Sequence, residues 1–215
     1  MPQVDCPCGS GKPFDLCHGA VKPAPEPVVV QATPKLLKLD LACGQNVREG
    51  FEGVDIWEGS RYVVDLWKFP WPFEDNSCEA LYSSHYIEHI PMEFVEHRGK
   101  KKDALFAFFD ECFRILIDGG VLTIITPNAR SNRAFQDPTH RRFIVQETFL
   151  YPNKEWRQRN KLDHYHVDCD FDFSVLPIIS KETSLLSNEE QARKFNSEWN
   201  SVYDWSATLT ARKKR

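Results

Sequence analysis

A chain of 215 residues is long enough for one full α/β domain and a small appendage. Its apolar share of 41%, with fifteen Phe and six Trp, suits a globular protein with a bulky core. A formal net charge of −4 gives no global case for nucleic acid or an anionic membrane, and no apolar run approaches the roughly 20 residues that span a bilayer. The opening MPQVDCPCGSGK lacks the apolar centre of a secretory signal, so a cytoplasmic protein is expected. Seven Cys, an odd number, fit poorly with an extracellular disulfide framework.

The chain divides into three stretches: 1–19, rich in Cys and Gly; 20–34, rich in Pro; and 35–215. In CPCGSGKPFDLCHG, Cys6, Cys8, Cys17 and His18 form two tight pairs of soft ligands that can close a tetrahedral shell around zinc. Gly9 and Gly11 let the chain curl between the pairs. With so few apolar residues, such a segment depends on the metal to fold. Residues 20–34, AVKPAPEPVVVQATP, should run extended as a semi-rigid linker.

From Lys35 onward the pattern is that of an alternating α/β domain. LLKLDLA predicts a first buried strand, GVDIW a second, YVVDLW a third and EALYSSH a fourth. Helical spacing over about 102–117 puts Leu105, Phe108, Phe109, Cys112 and Leu116 on one face. Asp118-Gly119-Gly120 should end that helix through a left-handed cap. VLTIIT predicts a buried strand rich in β-branched residues. HVDCDFDFSVL and SVYDWSATLTARK alternate like strands, separated by the helical NEEQARKFNSEW. The expected assembly is a mostly parallel sheet finished by an antiparallel pair.

In an open parallel sheet, ligands sit at the C-terminal ends of the strands. There this sequence places Ala42 and Gly44, small enough for close backbone approach, in LDLACGQN. Asp55 ends the second strand, where a carboxylate can accept both ribose hydroxyls, and Asp65-Leu66 ends the third. Ser83, Ser84 and His85 end the fourth. A dinucleotide dehydrogenase would want G-x-G-x-x-G opening a helix, and that motif is missing.

LDLACGQN, GFEGVDIW, VDLWKFPWPFEDNS and SHYIEHI, followed by ILIDGGVLTIITPN, resemble the signature of class I, Rossmann-like S-adenosylmethionine-dependent methyltransferases, in particular a compact type-11-like subgroup. The resemblance covers most of Lys35 to Asn128 and implies a seven-stranded Rossmann-like sheet. It also implies S-adenosylmethionine as cofactor, held by Asp40, Ala42, Gly44, Asp55, Ile56, Asp65, Leu66, Ser84 and His85. Ala42 and Gly44 would meet its methionine part, Asp55 its ribose, and Asp65 with Leu66 its adenine. Ala42 stands where a Gly is usual, and the gap from Gly44 to Asp55 is too short for a full crossover helix. The N-terminal stretch resembles the SEC-C motif of the preprotein translocase ATPase and of many otherwise unrelated proteins. That likeness implies a structural zinc and a docking role toward a protein partner.

On the acceptor side, TPNARSNRAFQDPTHRRFIVQETF carries Arg130, Arg133, Arg141 and Arg142. A cationic loop there suits an anionic acceptor, small molecule or nucleic acid, although a solvated basic face accounts for the same residues. DPTH recurs in similar methyltransferases in a loop over the acceptor pocket, which nominates Asp137, His140 and Arg141 for the substrate. His140 and His85 are the candidate general bases, and His89 is expected to buttress the helix. SSHY is not the Asp/Asn-Pro-Pro-aromatic loop of DNA amino methylation. His164, His166 and Asp168 could bind metal, but strand alternation explains them equally. The reading is methyl transfer to a small or anionic acceptor. The alternative is a non-catalytic adaptor that docks through its zinc module.

Overall fold

A computed structural model of the chain describes residues 36–213. The Cys/His cluster and the Pro-rich linker lie outside the described residues. Apolar runs bounded by turn residues form the expected strands: β1 (Leu37–Leu41), β2 (Glu52–Asp55), β3 (Tyr62–Val63) and β4 (Cys78–Ser84). A hairpin of β5 (Phe94–His97) and β6 (Lys100–Asp103) follows, then α1 (Ala104–Ile115) and the long strand β7 (Leu116–Pro127). Two short helices, α2 (Arg133–Gln136) and α3 (Lys154–Arg159), lead to β8 (Phe171–Ile178). The helices α4 (Lys181–Ser184) and α5 (Asn188–Ser197) precede β9 (Asp204–Ala211).

Seven strands form one sheet in the order β3-β2-β1-β4-β7-β9-β8. Neighbours from β3 to β7 are parallel, and β9 runs antiparallel to both β7 and β8. The fold is therefore α/β, with the mostly parallel sheet and antiparallel pair that the sequence predicts. Register aligns Leu39, Leu81, Leu122 and Leu209 in one row across four strands. All four are buried, and they join Phe108, Phe109, Cys112 and Ile115 of α1 in the core. The opposite sheet face carries Tyr82, Thr123, Thr208 and Ser174 in register, half-buried to exposed.

Helix α1 starts where Asp103 accepts the Leu105 amide at 2.8 Å. It ends earlier than expected. Leu116 is already extended (φ −69°, ψ 146°) and opens β7. The Asp118-Gly119-Gly120 segment is thus not a helix cap. Gly119, at φ +76°, instead lies where β7 shifts register against β4, because Leu116 faces Cys78 while Val121 faces Ala80. HVDCD is likewise not strand: His166, at φ +56°, follows the 3₁₀ turn Asp163–Tyr165 that contains His164, and β8 begins only at Phe171. The metal reading of His164, His166 and Asp168 loses its acid, since Asp168 pairs with Lys100 (2.6 Å) and Lys102 (2.9 Å).

The β5–β6 hairpin turns through Arg98 (φ +50°) and Gly99 (φ +73°), the two positive angles of a tight hairpin loop. Its strand β6 occupies residues the helical spacing had claimed. Lys102, 1% exposed, reaches from β6 to Asp110 of α1 and to Asp168. Asp110 in turn accepts the amides of Asp168 (2.9 Å) and Cys169 (2.8 Å). His97 closes the other end on Glu111 at 2.8 Å.

Candidate active site

The connection from β1 to β2 contains no helix, as the short spacing predicts. Its chain instead folds on side chains. Ala42 takes φ +59° and Gly44 φ +53°, so the alanine adopts the left-handed conformation that a glycine would supply. The Gly44 amide donates to Asp55 Oδ2 at 2.8 Å, and the Trp57 amide donates to Asp55 Oδ1 at 2.9 Å. Beneath, the Arg48 amide donates to Asp40 Oδ2 at 2.7 Å. Burial pushes the Asp40 carboxyl up, against that amide and the Arg48 charge. Gly53 leaves room for this loop, because a Cβ there would lie 2.8 Å from Cys43 Sγ and from Val47 Cγ2.

At the C-terminal ends of β1 to β4 opens a cleft of about 820 Å³, within the size range of small-molecule sites. Ala42, Asp55, Ile56, Asp65 and Leu66, all expected there, line it together with Val64, Trp67, Tyr86 and Met92. Ile56 is 70% exposed and Met92 66%, so apolar side chains stand bare in a concave wall. Tyr86 turns a buried, unpartnered hydroxyl beside that wall, and burial holds its phenol far above the ordinary range. Gly44 reaches the cleft through Asp55, while Asp40 lies below it, 3% exposed.

The far side is built by the 137–142 loop. The amides of Arg141 and Arg142 both donate to the Glu88 carbonyl, at 2.7 and 3.0 Å. This brings Thr139 and Arg141 to the cleft wall and sets His140 edge-on to His89, ring centroids 4.7 Å apart. Asp137 Oδ1 accepts from the Thr139 hydroxyl and amide, which holds its carboxyl below the usual range. His89 lines the cleft rather than buttressing α1. His85, at φ +53°, turns to Glu88 instead, with Nδ1 3.4 Å from Oε1, and this long contact with the carboxylate raises the imidazole pKa.

Of the four loop arginines, three are engaged elsewhere. Arg130 donates to the carbonyls of Phe195 and Asn196, Arg133 pairs with Asp204, and Arg142 holds the carbonyls of Ile90 and Pro91 as well as Asp103. The cationic character facing the cleft therefore rests on Arg141. Tyr86, Glu88, Met92 and Thr139 were not singled out in the sequence. For Glu88 and His89 the only signal is their place directly after the fourth strand.

The chain is similar in fold to the crystal structure of an S-adenosylmethionine-dependent methyltransferase from Archaeoglobus fulgidus, at a TM-score of 0.55 and 20% identity over 82% of this chain and 87% of that one. The fold is that of the class I S-adenosylmethionine-dependent methyltransferases. Weaker likenesses include an S-adenosylmethionine-dependent methyltransferase from Mesorhizobium loti (TM-score 0.43, 14% identity, 81% of this chain and 90% of that one). Another is with a methyltransferase structure from Listeria monocytogenes (TM-score 0.46, 11% identity, 83% and 92%). No curated protein matches the chain by sequence. Residues 5–20 match the family model of the SEC-C motif, so the methyltransferase fold here carries that motif ahead of it. Among the described residues, no helix is long and apolar enough to cross a membrane.

Proposed function

We propose that this chain is a methyltransferase that uses S-adenosylmethionine and acts on a small acceptor, anionic or bearing an ionisable oxygen. When bound, the cofactor supplies a methyl group on a sulfonium, an electrophile that needs only an aligned nucleophile. The observation that carries the reading is the grouping of Ala42, Asp55, Ile56, Asp65 and Leu66 around one cleft at the strand ends. Asp55 retains lone pairs for the ribose hydroxyls after taking the Gly44 and Trp57 amides. Ile56, Val64 and Leu66 offer the flat apolar wall an adenine ring needs, with Asp65 at its edge. Ala42 and Gly44 leave their backbone open toward the methionine part, and nothing lies within 4 Å of a Cβ built on Gly44.

On the acceptor side, Arg141 meets the negative charge. Asp137 orders Thr139 at the cleft wall. For a hydroxyl substrate His85, or His140 where its Nε2 holds no metal, serves as the proton acceptor, whereas a carboxylate needs neither. Ser84 supports the end of β4 beside His85. The SEC-C segment holds a structural zinc through Cys6, Cys8, Cys17 and His18 and docks the enzyme to a protein partner.

Calorimetric titration with S-adenosylmethionine and S-adenosylhomocysteine tests the reading. Wild-type protein binds both at micromolar levels, and Asp55→Ala weakens them by about a hundredfold, the loss of two charge-assisted hydrogen bonds. A folded wild-type protein that binds neither would rule the proposal out.

A further inference from the structure

Three ligand-type atoms, one each from Glu88, His89 and His140, all lie within 4.8 Å of one another beside the cleft. The hydrogen bonds around them assign both imidazoles the same tautomer. His140 Nδ1 faces the Ala134 carbonyl at 2.9 Å, which can only accept, so Nδ1 carries the proton and Nε2 the lone pair. His89 Nδ1 lies 3.0 Å from Thr139 Oγ1, whose own proton goes to Asp137 Oδ1 at 2.7 Å. The Thr139 oxygen must therefore accept, and His89 too presents a bare Nε2. A ring N–H fixed on a carbonyl or hydroxyl is the outer-shell arrangement that orients metal-binding histidines.

The third member has an unmet need. Glu88 is 1% exposed, and its Oε2 takes the Thr126 hydroxyl at 3.0 Å. Its Oε1 is buried without a well-formed hydrogen bond, and its charged neighbour His85 Nδ1 stands off at 3.4 Å. A buried carboxylate oxygen left without a donor is costly, and a cation beside it removes that cost.

We infer that Glu88, His89 and His140 bind a divalent transition-metal ion at the mouth of the cleft. Two imidazoles and one carboxylate suit zinc, iron, cobalt or manganese, rather than the all-oxygen shells of calcium and magnesium. Three protein ligands leave coordination positions open for an oxygen of the acceptor, next to Arg141. The metal site stands on its own geometry. Only its assignment to the acceptor rests on the methyltransferase reading.

The test is a titration of the chelator-treated full chain with Co²⁺. Cys6→Ser/Cys8→Ser is included in every variant so that thiolates do not compete. One equivalent binds and gives visible absorption bands without a thiolate charge-transfer band. His140→Ala weakens binding beyond the roughly 10–100-fold that loss of an outer-shell partner costs, and Thr139→Val weakens it within that range. S-Adenosylmethionine titration of His140→Ala by calorimetry checks that the variant is folded. Cobalt binding with no cofactor binding would sink the methyltransferase reading and leave the metal site standing. Cofactor binding without cobalt binding, or cobalt binding that His140→Ala leaves unchanged, would overturn the metal site alone.

Discussion

Glu111 is fully buried and accepts four bonds: from His97 (2.8 Å), from Arg114 Nε (2.9 Å) and Nη2 (2.8 Å), and from the Trp71 amide (2.8 Å). Burial alone would raise its pKa, but these donors outweigh it and hold the carboxyl at about 2. The folded value lies below the unfolded one of 4.5, so the group stabilises the fold above that pH. The contribution fades as pH falls from about 4.5 toward 2. Urea unfolding of Glu111→Gln at pH 7 should show a loss on the order of 3 kcal/mol, and a flatter decline in acid than wild type. Ala42 offers the opposite case. Its φ of +59° costs an alanine about 1 kcal/mol that a glycine avoids. Ala42→Gly should therefore raise the unfolding midpoint slightly while leaving cofactor affinity in place. The departure of this loop from the usual glycine thus changes its energy more than its path.

The β5–β6 hairpin is held by buried charge pairs as well as by Val95 packing against the core. Lys102→Ala would leave Asp110, 3% exposed, facing only backbone amides. Removing one partner of a buried pair costs about 3–5 kcal/mol. Chemical denaturation of Lys102→Ala should show that loss, and limited proteolysis should cut first near Gly99, at the hairpin turn. This element was illegible in the sequence for the same reason that it is stable. FVEH and KKKD have no alternation of apolar and polar residues. Of the two carboxylates that hold Lys102, Asp168 is remote along the chain. The strands β1, β4 and β7 were readable because each sets core residues, among them Leu39, Leu81 and Leu122, against less buried ones between turn signals. Helix α1 was readable along its face but not at its end. Gly119 mimics a cap, whereas Leu116 leaves the helix because its pairing with Cys78 in the sheet begins there.

At the scale of the molecule, strand order ranks the site. Parallel strands deliver Asp55, Asp65 and the β4 end to one edge, so their carboxylates could be nominated from position alone. The acceptor side could not, because the 137–142 loop reaches Glu88 only through two backbone bonds formed in the tertiary fold. The same loop explains why four arginines gave too strong an impression of positive charge: three of them hold carbonyls and carboxylates of the scaffold. Strand β9 has one further consequence. It is the last strand of the described chain, yet it sits between β7 and β8 and pairs with both along its length. On the ribosome, a nascent chain halted before Asp204 would hold β7 with one unpaired edge and β8 with nothing to pair to. Synthesis of this domain therefore leaves its half-built sheet with open edges until β9 has emerged, and closure then comes in one step.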